Sequence, residues 1–566
     1  MILRTFLRVA LVVVFGLGAA EAITRGLIDE PQHVRGRRAF VADSLNRLAP
    51  CARRESRDGV QVLVPLQPQT FGSDFVPAAR TPGRRRFAIV GESTATMLAM
   101  SFQNDARLAD AVADYERLGC AWGGASLEHV ALRADEVLDY SLDALVVVFG
   151  HNLRMVYPTD ATALRVQSWL LRSRLVTALS SRIEARLFDD RRDSEAGSHR
   201  ARLVELERVV DRIAAEAERR GVRLILATVA GNEEYPPGYS AQAFTDPRFT
   251  RARLDQVAGR STEAIAALES LARTRREPYW LFTLARWKAS GGDLDAARAL
   301  YREAIDRSET EPDRATTEAM QTIRESASRH GADLLDMAAV VDGGSAVFGW
   351  RSFADNCHHG EPALAHHARW MLALLGGSGP PPVDESALLL GDGKIAGMLR
   401  NLLLGVVATW PRSGRRHLDA VAVFVEHWLG ESPETTAGAV GEELFVGTRP
   451  DPGSAPAPVY VVPVMADDAV PAPARAATVA AFARAYRWSG RFDDALGLLE
   501  HPWVVGTADA AIERGLVAVA RGDEPAAVRA FDAALRVRPA DPEATALREA
   551  LVGSSTTRPS AGGSAA

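Results

Sequence analysis

Short apolar runs that stop at glycines constrain this chain more than any other feature. Phe87 to Val90 ends at Gly91, Ala144 to Phe149 ends at Gly150, "GVRLILATVAGN" carries a third run and "GADLLDMAAVV" a fourth. A strand that is apolar on both faces has to be covered on both, which is the condition of a parallel sheet. Helical patterns such as "STATMLAMSFQNDARLADAVADY" and "ARLVELERVVDRIAAEAERRG" lie between the runs. Strands and helices alternating in this way predict a doubly wound α/β domain over residues 85–375.

The chain of 566 residues is too long for one ordinary domain. Its net charge of -6 leaves no basic footprint, so nucleic acid is not an expected partner. The start, "MILRTFLRVALVVVFGLGAAEAITRGL", is basic, then apolar from Val9 to Ala20, then Ala20-Glu21-Ala22. That run falls short of the about 20 residues a membrane span needs, and the A-x-A pattern suits a cleaved signal peptide. Counted from Ile2 to Ile23, the same stretch reads as an uncleaved anchor. Residues 1–24 are therefore expected to be a signal peptide or a membrane anchor, with the remainder extracytoplasmic, in the periplasm or cell envelope. Three cysteines, Cys51, Cys120 and Cys357, imply no disulfide framework. One pair fits an oxidising compartment, with Cys120 and Cys357 as the candidate partners.

Residues 25–84 read as a linker or irregular extension. Within 85–375, a helical insertion at about 250–310 carries Ala285, Ala297, Tyr301 and Ala304, the small and aromatic spacing of a tetratricopeptide helix pair. The spacing returns as Ala483, Tyr486, Ala495 and Leu499, and again as Gly515, Ala527, Phe531, Ala534 and Pro539, giving repeats at about 474–548. Residues 376–386 read as a linker, 387–552 as a mostly helical region with these repeats, and 553–566 as a flexible tail.

Loops at the carboxyl ends of parallel strands converge on one crevice. Ser93 follows the first run at the start of a helix, where backbone N–H groups and the helix dipole stabilise negative charge. Asn152 follows the second run by three residues and is expected to face the same crevice. Downstream, "FADNCHH" sets Asp355 three residues before His358. That spacing lets the carboxylate hold one imidazole nitrogen while the other points away. If His358 serves Ser93, the loop is the base-and-orienter half of a Ser-His-Asp triad.

"IVGEST", "GGAS", "FGHN" and "DNCH", in that order, resemble the blocks of the SGNH (GDSL-type) esterases, in particular bacterial envelope members with tetratricopeptide repeats. "TVAGNEEYPP" resembles the segment after a middle strand in those proteins. The resemblance implies a flavodoxin-like sheet, with Ser93 as nucleophile, His358 as general base and Asp355 as its orienting partner. Its oxyanion hole would be the backbone N–H groups of Ser93 and Gly124 and the side-chain amide of Asn152. It also implies an acyl-serine mechanism on an ester-bearing small molecule or an O-acetylated envelope glycan, by hydrolysis or transfer, with no cofactor or metal. The helical repeats would recruit a protein partner.

Two departures are visible: Glu92 stands where the family has Asp, and Leu153 where Asp is common. The second block is stretched, so Gly123 competes with Gly124. A zinc site built on Cys357, His358 and the later histidines is disfavoured because no second cluster has structural-zinc spacing. His359, His366 and His367 read as solvated or capping residues. There is no G-x-S-x-G elbow around Ser93 and no dinucleotide or phosphate-loop fingerprint. The alternative function is a non-catalytic scaffold whose repeats recruit a partner.

Overall fold

The structure, a computed structural model, describes residues 41–42, 44–66, 73–155, 160–170, 172–173, 199–238, 241–308, 314–342, 349–410, 414–444, 465 and 470–557. The expected signal peptide or anchor lies outside them. No helix among the described residues is long and apolar enough to cross a membrane. The chain divides into two compact units. The first runs to Val229 and adds Glu318–Met337 and His367–Pro381; the second comprises Ala230–Thr317, Ala338–His366 and Pro382 onward.

The first unit carries strands where a linker was expected. β1 (Ala52–Arg57) and β2 (Val60–Pro65) form an antiparallel hairpin, and β3 (Val76–Pro77) pairs with β2. Asp58 and Gly59 between them have φ of 52° and 78°, and positive φ at both central residues is what a two-residue type I′ hairpin requires. A disulfide joins Cys51, just before β1, to Cys120 across 69 residues. The pairing is therefore Cys51–Cys120 and not Cys120–Cys357; Cys357 is a buried thiol outside the disulfide. A cross-link of this kind is worth about 2–4 kcal/mol to a folded domain.

Five parallel strands follow: β4 (Arg85–Gly91), β5 (Tyr115–Ala121), β6 (Ala144–Val148), β7 (Arg223–Thr228) and β8 (Asp333–Asp336). Their order in the sheet is β5-β4-β6-β7-β8, the 2-1-3-4-5 order of flavodoxin-type sheets. β5 is absent from the apolar runs because it is an edge strand carrying Glu116 and Arg117. Glu116 is used inside: it accepts from Arg86 Nε at 2.7 Å, while Arg86 also donates to the carbonyls of Tyr140 and Pro77. The buried guanidinium is thereby satisfied. Ile89, Val90, Leu145, Val146 and Ile225 are buried, each stabilising the sheet by about 1.5–3 kcal/mol.

The chain leaves β4 to one side for β5 and then crosses to the other side for β6. With right-handed crossovers, helices Ser93–Asn104 and Leu127–Leu138 lie on opposite faces. The crevice of such a sheet opens at the reversal, at the carboxyl ends of β4 and β6.

The second unit is helical. Helix pairs Pro278–Ser290 with Leu294–Asp306, Ala472–Trp488 with Phe492–Leu499, and Ala508–Ala520 with Glu524–Val537 form hairpins. Ala285, Ala297, Ala304, Ala495, Ala527 and Ala534 are all buried, so small residues let each pair close. The inserted helices pack with the C-terminal ones in this unit. Leu254 of helix Pro247–Val257 shares a core with Ile512, Phe531 and Leu547. The last helix, Pro542–Thr557, runs five residues beyond 552, into the stretch read as a flexible tail.

Candidate active site

Gly91, Ala121 and Val148 share one register row across β5, β4 and β6. The residues after them therefore emerge together: Glu92–Ser93, Trp122–Gly124 and Phe149–Asn152. A Cβ at Gly91 would stand 2.0 Å from the Val148 carbonyl oxygen and 2.7 Å from Ala95 Cβ, so only glycine lets the first turn of the helix sit this close to β6. Ser93 is the first residue of its helix and half-buried.

Glu92, read from sequence as a mere departure, is fully buried. Its carboxylate accepts from the backbone N–H of His151 at 2.8 Å and of Asn152 at 2.9 Å. The longer side chain thus ties the first block to the third. Asn152 is buried, and its side-chain Nδ2 has no hydrogen-bond partner among the described residues. Stranding a buried donor costs about 1–3 kcal/mol, a cost usually met where the donor has another use.

At the second block, the position a Gly123 side chain would occupy lies 3.9 Å from Ser93 Cβ, and Gly124 has φ of 68°. Arg47 Nη1 donates to the Gly123 carbonyl at 2.5 Å. In a trans peptide the following N–H points the opposite way, so the Gly124 N–H is aimed away from Arg47. Ser126, next along, caps helix Leu127–Leu138 with its hydroxyl 2.9 Å from His129 Nδ1.

The "DNCH" loop belongs to the second unit. His358 Nδ1 lies 2.6 Å from Asp355 Oδ2. Asp355 Oδ1 accepts the backbone N–H groups of Cys357 at 2.9 Å and His358 at 2.8 Å. Burial opposes the charge on Asp355, but His358 and these N–H groups outweigh it and hold its pKa below the ordinary 3.8. The other imidazole nitrogen, Nε2, is turned from the carboxylate and has Cys357 Sγ at 3.9 Å. Asp355, Cys357 and His358 each offer one donor atom within 4.8 Å of the others, a set that could hold a cation.

Asn232 is a residue that the sequence reading missed. Its Nδ2 donates to the Asp355 carbonyl at 2.9 Å, and its backbone N–H to the Asn356 carbonyl at 2.9 Å. The only signal was its place just past the third run, in "TVAGN". Arg47 gave no signal at all. His359, His366 and His367 are buried rather than solvated. His359 lies against Phe353, with ring centroids 4.4 Å apart, and burial, then the charge of His358, lowers its pKa to about 3.

Ser93, Gly124 and Asn152 thus gather within the first unit, and Asp355 and His358 pair within the second. No family model and no curated protein matches this chain.

Proposed function

We propose that the chain is an exported serine esterase of SGNH type, cleaving or transferring ester-linked acyl groups, O-acetyl above all, on an envelope glycan or related substrate. The observation that carries the reading is the buried Asn152 amide, a donor without a partner among the described residues, beside the loop that holds Ser93. The Asp355–His358 hydrogen bond supports it, because an imidazole oriented by a carboxylate is what a serine nucleophile needs. The Cys51–Cys120 disulfide supports the export reading, since such bonds persist in oxidising compartments. The helical hairpins support a tetratricopeptide-like arm that engages a protein partner.

In this reading Ser93 Oγ attacks the acyl carbonyl and its proton passes to His358. The oxyanion takes hydrogen bonds from the backbone N–H groups of Ser93 and Gly124 and from Asn152 Nδ2. The C–O bond to the alcohol then breaks, and the leaving alkoxide takes the proton from His358. Water or a sugar hydroxyl, deprotonated by the same histidine, attacks the acyl carbonyl; the C–O bond to Ser93 Oγ breaks, the acid or the acylated sugar leaves, and Ser93 Oγ takes the proton back from His358. Asp355 holds the ring and stabilises its charged form.

The test is covalent labelling of the chain with a fluorophosphonate, alongside p-nitrophenyl acetate turnover, in wild type, Ser93→Ala and His358→Ala. Labelling and turnover lost in both variants support the proposal. Labelling that persists in Ser93→Ala counts against Ser93 as the nucleophile, and a folded wild type inert in both assays counts against the proposal and in favour of a scaffold role.

A further inference from the structure

Helix Ala161–Leu170 of the first unit is apolar on two sides. On one side Leu164 is buried against Val41, Leu45 and Leu48 in a small core. On the other, Val166, Trp169 and Leu170 are 52%, 69% and 37% exposed. Their spacing sets the three on one stripe. Thr162 and Ala163, also exposed, extend that stripe without adding a charge. A helix on the surface of a globular unit ordinarily turns charged and polar side chains outward, whereas this one turns out a tryptophan.

What covers the stripe is argued from chain length and charge. Val41, Leu45 and Leu48 stand at the start of the described chain, and only residues 24–40 separate Val41 from Ile23, where the apolar N-terminal run ends. At most about 60 Å of chain can lie between the two. With that run as an anchor, the bilayer surface is held within this reach, and the chain coming from it enters the unit against helix Ala161–Leu170. Arg165 and Arg172 are exposed beside the stripe. Residues 165–188 hold five arginines against one carboxylate, Glu184, in a chain of net charge -6. A local excess of arginine beside an apolar stripe suits anionic headgroups. The helix is too short to cross a bilayer, which takes about 20 residues, so it would lie in the plane of the surface, where tryptophan is favoured.

We propose that the stripe Val166, Trp169 and Leu170 rests on an anionic lipid bilayer, with Arg165 and Arg172 at the headgroup phosphates. This contact orients the first unit on the surface to which the N-terminal run tethers it. It does not depend on Ser93 being a nucleophile.

The experiment reconstitutes the full chain into vesicles of phosphatidylcholine and phosphatidylglycerol, with an environment-sensitive NBD fluorophore on Thr162→Cys. That position shares the face of the stripe and leaves its three apolar side chains in place. Wild type, whose thiol outside the disulfide is the buried Cys357, is the labelling blank. Nitroxide-bearing lipids in the same vesicles read contact with the bilayer. The expected result is a blue-shifted emission that nitroxide lipid quenches at least about twofold, with the quenching lost when Trp169→Ser and Leu170→Ser are added. Circular dichroism melting checks that the variants fold; should the pair unfold the chain, Trp169→Ser alone decides. An emission as in water overturns the proposal. So does a blue-shifted emission that nitroxide lipid leaves unquenched, because protein, a second copy or another part of the chain, then covers the stripe. Quenching unchanged by the serine substitutions also overturns it, because the tether alone then explains the proximity.

Discussion

The carboxylate of Glu92 accepts the backbone N–H of Asn152 at 2.9 Å, joining two loops that are 60 residues apart in the chain. Glu92 precedes the candidate nucleophile directly, so one buried side chain fixes the spacing between Ser93 and the stranded amide. The longer glutamate reaches across and occupies both N–H donors of the β6 loop.

Glu92→Gln puts an NH₂ group against one of those backbone donors. We expect the variant to unfold about 1–3 kcal/mol more easily. Ester turnover should fall about 10- to 100-fold through kcat, with little change in KM, since the groups are displaced rather than removed. Steady-state kinetics beside a denaturant titration checks this. A large loss of stability with unchanged kcat would make Glu92 a structural residue only.

Asn152→Ala separates catalysis from structure in the opposite way. It removes a donor with no partner among the described residues, so stability should stay within about 1 kcal/mol of wild type or rise. An oxyanion donor is worth about 100- to 1000-fold in rate, and kcat should fall by that factor. A variant that melts like wild type and turns over at the wild-type rate would remove Asn152 from the mechanism.

Asp355 carries a pH signature. Its folded pKa is held below the ordinary 3.8 by His358 and by the N–H groups of Cys357 and His358, against the cost of burial. A depressed carboxyl contributes stability that is fully present above its unfolded pKa and is lost as pH falls through its folded one. Asp355→Asn should therefore melt below wild type at about pH 5, and the margin should close in acid below about pH 4. Melting curves at intervals of one pH unit read it directly. A margin that persists unchanged in acid would trace the loss to shape rather than to charge.

The parts of the fold legible in sequence are those written in local periodicity. Phe87–Val90, Ala144–Phe149 and the run in "GVRLILATV" fall on β4, β6 and β7, because central parallel strands are apolar on both faces. β5 escaped because an edge strand tolerates Glu116 and Arg117, and the β1–β2 hairpin escaped although Asp58-Gly59 marks its turn. The candidate residues Ser93, Asn152, Asp355 and His358 could be named from their blocks. The contacts that hold each of them within its own unit could not. Glu92 to Asn152, Asn232 to the Asp355 carbonyl and Cys51 to Cys120 are contacts between residues 60, 123 and 69 apart. Such contacts depend on tertiary packing, and one sequence carries no local trace of them. The same holds for Leu254 against Phe531 and Leu547, which makes the inserted helices part of the C-terminal unit.

Gly515 tests that unit independently of any activity. It lies in helix Ala508–Ala520 opposite Phe531, and a Cβ there would stand 2.4 Å from Phe531 Cε1. Phe531 is fully buried in a core with Leu516, Ala527 and Leu547, so its ring has little room to retreat. Alanine in a helix ordinarily stabilises by about 1 kcal/mol over glycine. Here overpacking should exceed that gain and leave Gly515→Ala destabilised by about 1–3 kcal/mol. Gly515→Ala combined with Phe531→Leu, which relieves the clash, should recover part of the loss, and the double variant should deviate from additivity by at least about 0.5 kcal/mol. A single variant more stable than wild type would mean that the two helices can separate at this point, and that their close approach is not what holds the hairpin together.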